Sequence, residues 1–172
     1  MSGPGQCFIS YSHRDHASFE RLLTHLKPVA HLYGFKLWHD RRIKPGYYWN
    51  ATINSEIEQS DIFVPLITND FFASDYIMQH ELPAILEQHK NASALLVPVI
   101  YRESCWRSFF GDYIEVAPKN SKHNLVPIFK WPDREEGFAV AANAISASIE
   151  DWFGVKPTPM FAATVAPKRG RP

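Results

Sequence analysis

Short apolar runs alternate with longer amphipathic stretches along this chain, and that alternation narrows the possible folds more than any single motif does. It is the pattern of an α/β domain with a mostly parallel sheet, in which a helix carries the chain from one strand to the next. The first run is residues 7–11, Cys-Phe-Ile-Ser-Tyr. Ser12 and Asp15 then have the spacing of a capping box, with Phe19, Leu22, Leu23 and Leu26 following at helical spacing until Pro28 ends or kinks the helix. A second strand, residues 35–38, follows Gly34, and a polar loop with Pro45-Gly46 leads to a helix carrying Trp49, Ile53 and Ile57.

Residues 61–67 read as the third strand and 94–100 as the fourth. Pro65 counts against a fully paired central position unless the neighbouring ladder skips that amide, and Pro98 interrupts the fourth strand in the same way. Trp106, Phe109 and Phe110 form either a short helix or a packed loop, and residues 125–129 are the expected fifth strand. Asp133 precedes a last helix in which Phe138, Ala142, Ile145 and Ile149 recur at helical spacing.

A chain of 172 residues, 45% hydrophobic, accommodates one sizeable core. The expected organisation is a flexible N-terminus over residues 1–6, one domain over 7–154, and a flexible Pro-rich basic tail over 155–172. Eighteen basic and eighteen acidic side chains cancel, which gives no reason to expect nucleic acid or an anionic membrane as partner. Cys7 and Cys105 make no disulfide framework, the start of the chain lacks a signal core, and no apolar stretch approaches a membrane span. These features fit a cytoplasmic protein.

Five alternating strands suit a flavodoxin-like sheet of order 2-1-3-4-5 with helices on both faces. In that fold a ligand binds at the carboxyl ends of the strands, where the order reverses. Here those ends are residues 11–16 and 68–81, with the loop 40–48 beside them. Glu81 stands out in this region. At 100° per residue it falls between Ile77 and Ile85 on the apolar face that also carries Met78 and Leu82. A carboxylate there must be paired, neutralised or lining a cleft, because burying a lone charge costs several kcal/mol or more, and this makes Glu81 a site candidate. Other chemistries lack their residues. The clustered acids of a phospho-accepting receiver are missing, neither GxGxxG nor GxxxxGK occurs, and the eight histidines form no metal-binding pattern.

Four segments in register resemble the TIR domain family: Phe8-Ile-Ser-Tyr-Ser12 with Asp15; Gly34-Phe35 leading to Trp38, Asp40 and Ile43-x-Pro-Gly46; residues 61–67 followed by Ser74 and Glu81-Leu82; and Trp131, Asp133 and Glu136-Gly-Phe138. The resemblance covers roughly residues 7–153. It implies the flavodoxin-like sheet, and for many members it implies cleavage of the nicotinamide–ribose bond of NAD+, with NAD+ as substrate and no further cofactor. Glu81 matches the catalytic glutamate of those enzymes. An ionised carboxylate suits the oxocarbenium character built at the anomeric carbon, and Pro83 close behind suggests a place in the first helical turn, where the helix dipole would favour the charge.

The same resemblance implies substrate contacts from Ser10, Tyr11, Ser12, His13, Asp40, Tyr48, Ser74 and Ile77. Tyr48 or Trp49 could stack on a base. Ile77 departs from the family, many members of which carry tryptophan near that point. By family, the expected context is bacterial immune signalling, with activity switched on by self-association through TIR–TIR contacts or by a separate sensor protein. The alternative function is a non-catalytic TIR adaptor.

Overall fold

The computed structural model describes residues 3–42 and 45–157, and its centre is a parallel sheet. Strand β1 is Gln6–Ser10, β2 Lys36–Trp38, β3 Ile62–Ile67, β4 Leu95–Leu96 and β5 Val99–Ile100. The order is β2-β1-β3-β4, with β5 also paired to β3, and every one of these pairs is parallel. The helices are α1 His16–Tyr33, α2 Trp49–Glu58, α3 Asn69–Phe72, α4 Leu82–Lys90, α5 Trp106–Phe110 and α6 Arg134–Phe153.

Strand alternation divides the core in two. Cys7, Ile9, Ile62, Val64, Leu66 and Leu95 face α1 and α6, where Phe19, Leu22, Leu26, Phe138 and Ile145 meet them. Phe8, Phe63, Ile67 and Leu96 face the opposite way, toward Ile53 and Ile57 of α2 and toward Ile77, Leu82 and Ile85. This is the α/β architecture with helices on both faces expected from the sequence.

Several local expectations change. Pro28 does not end α1, which continues to Tyr33 and closes on left-handed Gly34 (φ 73°), whose amide bonds to the Ala30 carbonyl. The capping box is only half made. Ser12 Oγ accepts from the Arg14 amide at 3.4 Å, but the Asp15 carboxylate turns away to Thr68. β1 begins at Gln6, and Asp61 accepts from the amides of Gly5 (2.6 Å) and Gln6 (3.2 Å), so this part of the segment expected to be flexible is tied to the sheet. At the other end Val155 packs against the core. The predicted tail from residue 158 onward lies outside the described residues, as do Ile43 and Lys44 of the loop after β2.

The two strand prolines turn out to share one gap. Phe63 pairs with Leu96 and Leu66 with Val99, a register that sets Pro65 opposite Pro98. The amide missing from central β3 therefore falls where its neighbour is also interrupted, and β3 keeps its central place. The fifth strand, in contrast, is not at 125–129. Leu125 makes one isolated bridge to Lys119, and Ile128–Lys130 is a 3-10 turn. The position beyond β5 is held by Ala117, which bridges in parallel to Val99, donates to the Pro98 carbonyl at 2.9 Å and accepts from the Ile100 amide at 2.7 Å. Pro127, at the middle of the predicted strand, has no amide to give a ladder and stands instead at the start of the 3-10 turn.

Candidate functional site

Glu81 lies in a helix longer than α4 alone. Residues 75–90 are helical throughout, with Ser74 as N-cap: its Oγ accepts from the Ile77 amide at 3.4 Å and its carbonyl from the Met78 amide at 3.0 Å. Glu81 thus belongs to the second turn, and the expectation of a first-turn acid is corrected. Moreover, Ile77–Glu81 is a π turn, in which the Leu82 amide bonds to the Ile77 carbonyl. Such turns insert an extra residue into an α-helix and recur at functional sites. Ile77 (3% exposed), Glu81 (6%), Leu82 (3%) and Ile85 (0%) are all buried, so the sequence pattern had the correct face.

Across from this helix, Ser10 ends β1 two residues after Phe8, on the same side of the strand. Its hydroxyl donates to Glu81 Oε2 at 2.5 Å, and the serine itself is 2% exposed. Burial pushes the Glu81 carboxyl up to about 7, and nearby Asp40 pushes in the same direction. The Ser10 hydrogen bond and the charge of His13 oppose the rise without cancelling it. Near neutral pH the group is divided between its two states, which corrects the expectation of full ionisation.

A cleft of about 510 Å³ opens over the carboxylate, within the size range of small-molecule sites. Tyr11, Ser12 and His13 line it from the end of β1, Asp40 and Trp49 from the loop after β2 and the start of α2, and Ser74, Tyr76 and Ile77 from the helix that carries Glu81. A second cavity of about 310 Å³ shares Tyr11, His13, Asp40 and Trp49 with the first and adds His16 and Arg41. His13 Nε2 pairs with Asp40 Oδ2, and this pair forms the common wall. Tyr11 stacks on Phe19 (centroids 3.8 Å apart, planes at 5°), while Trp49 packs on Tyr76 at 4.1 Å. The hydroxyls of Tyr11 and Tyr76 and Asp40 Oδ1 are buried and find no hydrogen-bond partner among the described residues. Buried polar atoms left so are a cost that a polar ligand can relieve.

Of the nine residues nominated from the sequence, Glu81, Tyr11, Ser12, His13, Asp40, Ser74 and Ile77 line the cleft, and Ser10 lies beneath it on Glu81. Tyr48 does not. It is the N-cap residue of α2, its side chain 87% exposed, and the aromatic ring at the cleft belongs to Trp49, the first residue of that helix. Tyr76 was not nominated, although it sits directly before Ile77 and packs an aromatic ring beside the cleft.

The contact between Asp15 and Thr68 was also missed. Thr68 Oγ1 donates to Asp15 Oδ2 at 2.5 Å and accepts from the Phe71 amide at 3.0 Å, joining the segment after β1 to the cap of α3. Burial raises the Asp15 carboxyl, and the Thr68 bond works against that rise. An acid and a hydroxyl following adjacent parallel strands were the available signal.

Comparison with known proteins places these observations in context. Residues 7–139 match the sequence model of a family described as TIR domain. A protein of Sinorhizobium fredii, uncharacterized protein y4lF, is 33% identical over 138 residues, which is 80% of this chain and 42% of that protein. The chain thus spans less than half the length of that relative.

Among solved structures, the TIR domain of the Toll-related receptor TRR-2 from Hydra magnipapillata superposes with a TM-score of 0.54 at 17% identity, covering 84% of this chain and 97% of that one. A prokaryotic SEFIR domain gives 0.53 at 15% identity, covering 90% and 98%. The RPS4 and RRS1 TIR domain heterodimer gives 0.52 at 14% identity, covering 88% and 99%. At these identities the likeness is one of fold.

Proposed function

The chain belongs to the TIR domain family, and from that premise we propose that it is an NAD+ glycohydrolase with Glu81 as its catalytic residue. The observation that carries the reading is the carboxylate itself: buried, held by Ser10, and exposed to substrate only through a cleft lined with unpaired polar atoms. In the reaction the bond between the ribose anomeric carbon and the pyridinium nitrogen breaks, and its electron pair leaves with nicotinamide, which departs neutral. Water then adds to the anomeric carbon and releases one proton, giving ADP-ribose; attack by a group of the same molecule gives a cyclic isomer instead. Ionised Glu81 stabilises the positive charge that develops at the anomeric carbon, directly or by holding the ribose hydroxyls. Because the carboxyl titrates at about 7, turnover rises as pH increases through that value.

In this reading Asp40 would accept hydrogen bonds from the sugar, the unpaired hydroxyls of Tyr11 and Tyr76 would donate to it, and Trp49 would supply a ring for stacking. Tyr47 and Tyr48, 67% and 87% exposed just ahead of α2, favour a second role in contacts with another TIR domain. Assembly of that kind would order the loop beside the cleft and switch the enzyme on, in keeping with a signalling role in bacterial immunity. Among the described residues no helix is long and apolar enough to cross a membrane.

Incubation of the purified protein with NAD+ at several protein concentrations, with chromatographic separation of nicotinamide, ADP-ribose and cyclic products, tests the reading. Nicotinamide release should rise more than linearly with protein concentration and vanish in Glu81→Gln. Equal activity in wild type and mutant removes Glu81 from catalysis. Silence of the wild type, assembled filaments included, favours the adaptor role.

A further inference from the structure

Pro83 stands two residues beyond Glu81, on the exposed side of the same helix. In an α-helix the residue four places on stands above its predecessor, so Glu81 would stand above Ile77. Here five residues complete the turn, and Leu82, bonded through its amide to the Ile77 carbonyl, takes that place while Glu81 swings to the side and meets Ser10.

Something must prevent the turn from closing as an ordinary α turn, and packing on its outer side is not the cause, since Gln79, His80 and Pro83 are all exposed. Proline has no amide hydrogen to give the carbonyl four residues back, and its ring collides with that carbonyl. For Pro83 that carbonyl belongs to Gln79, inside the π turn. The helix has already begun at Asp75, so this proline is not a first-turn residue, where it would cost nothing. We propose that Pro83 is a positioning residue: its backbone holds residues 77–81 in the π turn that aims the Glu81 carboxylate at Ser10 and the floor of the cleft. The geometric claim stands on the helix alone, while its catalytic meaning rests on the NAD+-cleaving reading.

The exposure of Pro83 makes the test clean, because neither Pro83→Ala nor Pro83→Ser removes core packing. Both restore the amide and allow an α turn. Titration of glutamate-labelled protein by carbon NMR, with the Glu81 signal identified by its loss in Glu81→Gln, reads the carboxyl directly. In both variants its midpoint should rise above about 7, because a carboxyl set over buried Ile77 stays out of water and no longer meets Ser10, whose hydrogen bond holds it down. Thermal unfolding should shift upward by roughly 5 °C, because an interior proline has been removed from a helix. Nicotinamide release should drop at least tenfold, mainly in kcat, while Glu87→Ala on the same exposed side changes none of the three readings. A Glu81 midpoint unchanged in both Pro83 variants overturns the proposal. That reading does not depend on turnover, so an inactive wild type would defeat the enzymatic assignment and leave the positioning claim to be judged by the titration.

Discussion

The helix at 75–90 and α6 cover opposite faces of one sheet, and they are built to opposite rules. α6 is capped at one end by Asp133, which accepts from the Glu135 amide at 2.9 Å, and at the other by left-handed Gly154 (φ 62°). Every residue it buries is apolar or glycine, and Gly137 is small because a Cβ there would lie 3.0 Å from the Trp131 ring. The helix at 75–90 interrupts its hydrogen bonding with a π turn, carries an exposed proline inside, and buries an acid. The departures from local regularity concentrate beside the cleft, while the opposite face supplies ordinary packing, a division expected where function takes some stability from a site and the rest of the fold restores it.

The sharpest way to break this comparison is at Glu81. Glu81→Gln should lower nicotinamide release at least a thousandfold and yet yield a more stable protein at pH 8, as read by denaturant unfolding. The sign follows from protonation. The folded carboxyl sits at about 7 against 4.5 for an ordinary one, so the folded state keeps its proton over a window in which the unfolded state has lost it. The contribution of this group to stability is therefore greatest below pH 4.5, declines as pH rises toward 7, and stays lower above, by about 3 kcal/mol. Glutamine can still accept from Ser10 and has no charge to bury.

Ile145→Ala in α6 should do the reverse. The side chain is 0% exposed, so its truncation costs about 2–5 kcal/mol in unfolding free energy while kcat of the folded enzyme stays near wild type. A large loss of kcat there would show that the two faces are coupled and dissolve the contrast.

Smaller effects refine it. Ser10→Ala removes the one hydrogen bond that holds the Glu81 carboxyl down, so the acidic limb of the pH–rate profile should move to higher pH. A limb unmoved by this change, and unmoved by Asp40→Asn, would assign it to another group. Asp133→Ala should cost about 1 kcal/mol of stability and leave that profile untouched.

The regular face was the more legible one in the sequence. Phe138, Ala142, Ile145 and Ile149 announce α6 by spacing, Asp133 by its capping chemistry, and the same logic recovered β1 to β5, the last two as one strand over 94–100, because their side chains are buried on alternating sides. Residues 125–129 misled because an apolar pentapeptide carries no record of whether a neighbour is free to pair, and Ala117 already occupies the edge. At the site, Glu81 was visible as an acid on an apolar face. The π turn was not, since 100° periodicity contains no term for an inserted residue, and Pro83 invited reading as a helix start. Tyr48 and Trp49 are adjacent in sequence, and only the entry angle of α2 decides which ring reaches the cleft. Asp15 and Thr68 meet across two strands, which no local pattern encodes.

Where Pro65 faces Pro98, the central sheet has a perforation: one rung without a ladder bond between stretches that are otherwise zipped. Above it, β3 runs on past Thr68 into the segment whose Asp70, Ala73 and Ser74 border the cleft; below it, Ile62 and Leu95 are stitched to the base of the domain. A perforated sheet can yield at one line without tearing elsewhere. Displacement of the upper strand ends by a ligand or a neighbouring chain therefore need not travel into the lower sheet, and the domain can deform at its working end while its foundation keeps its register.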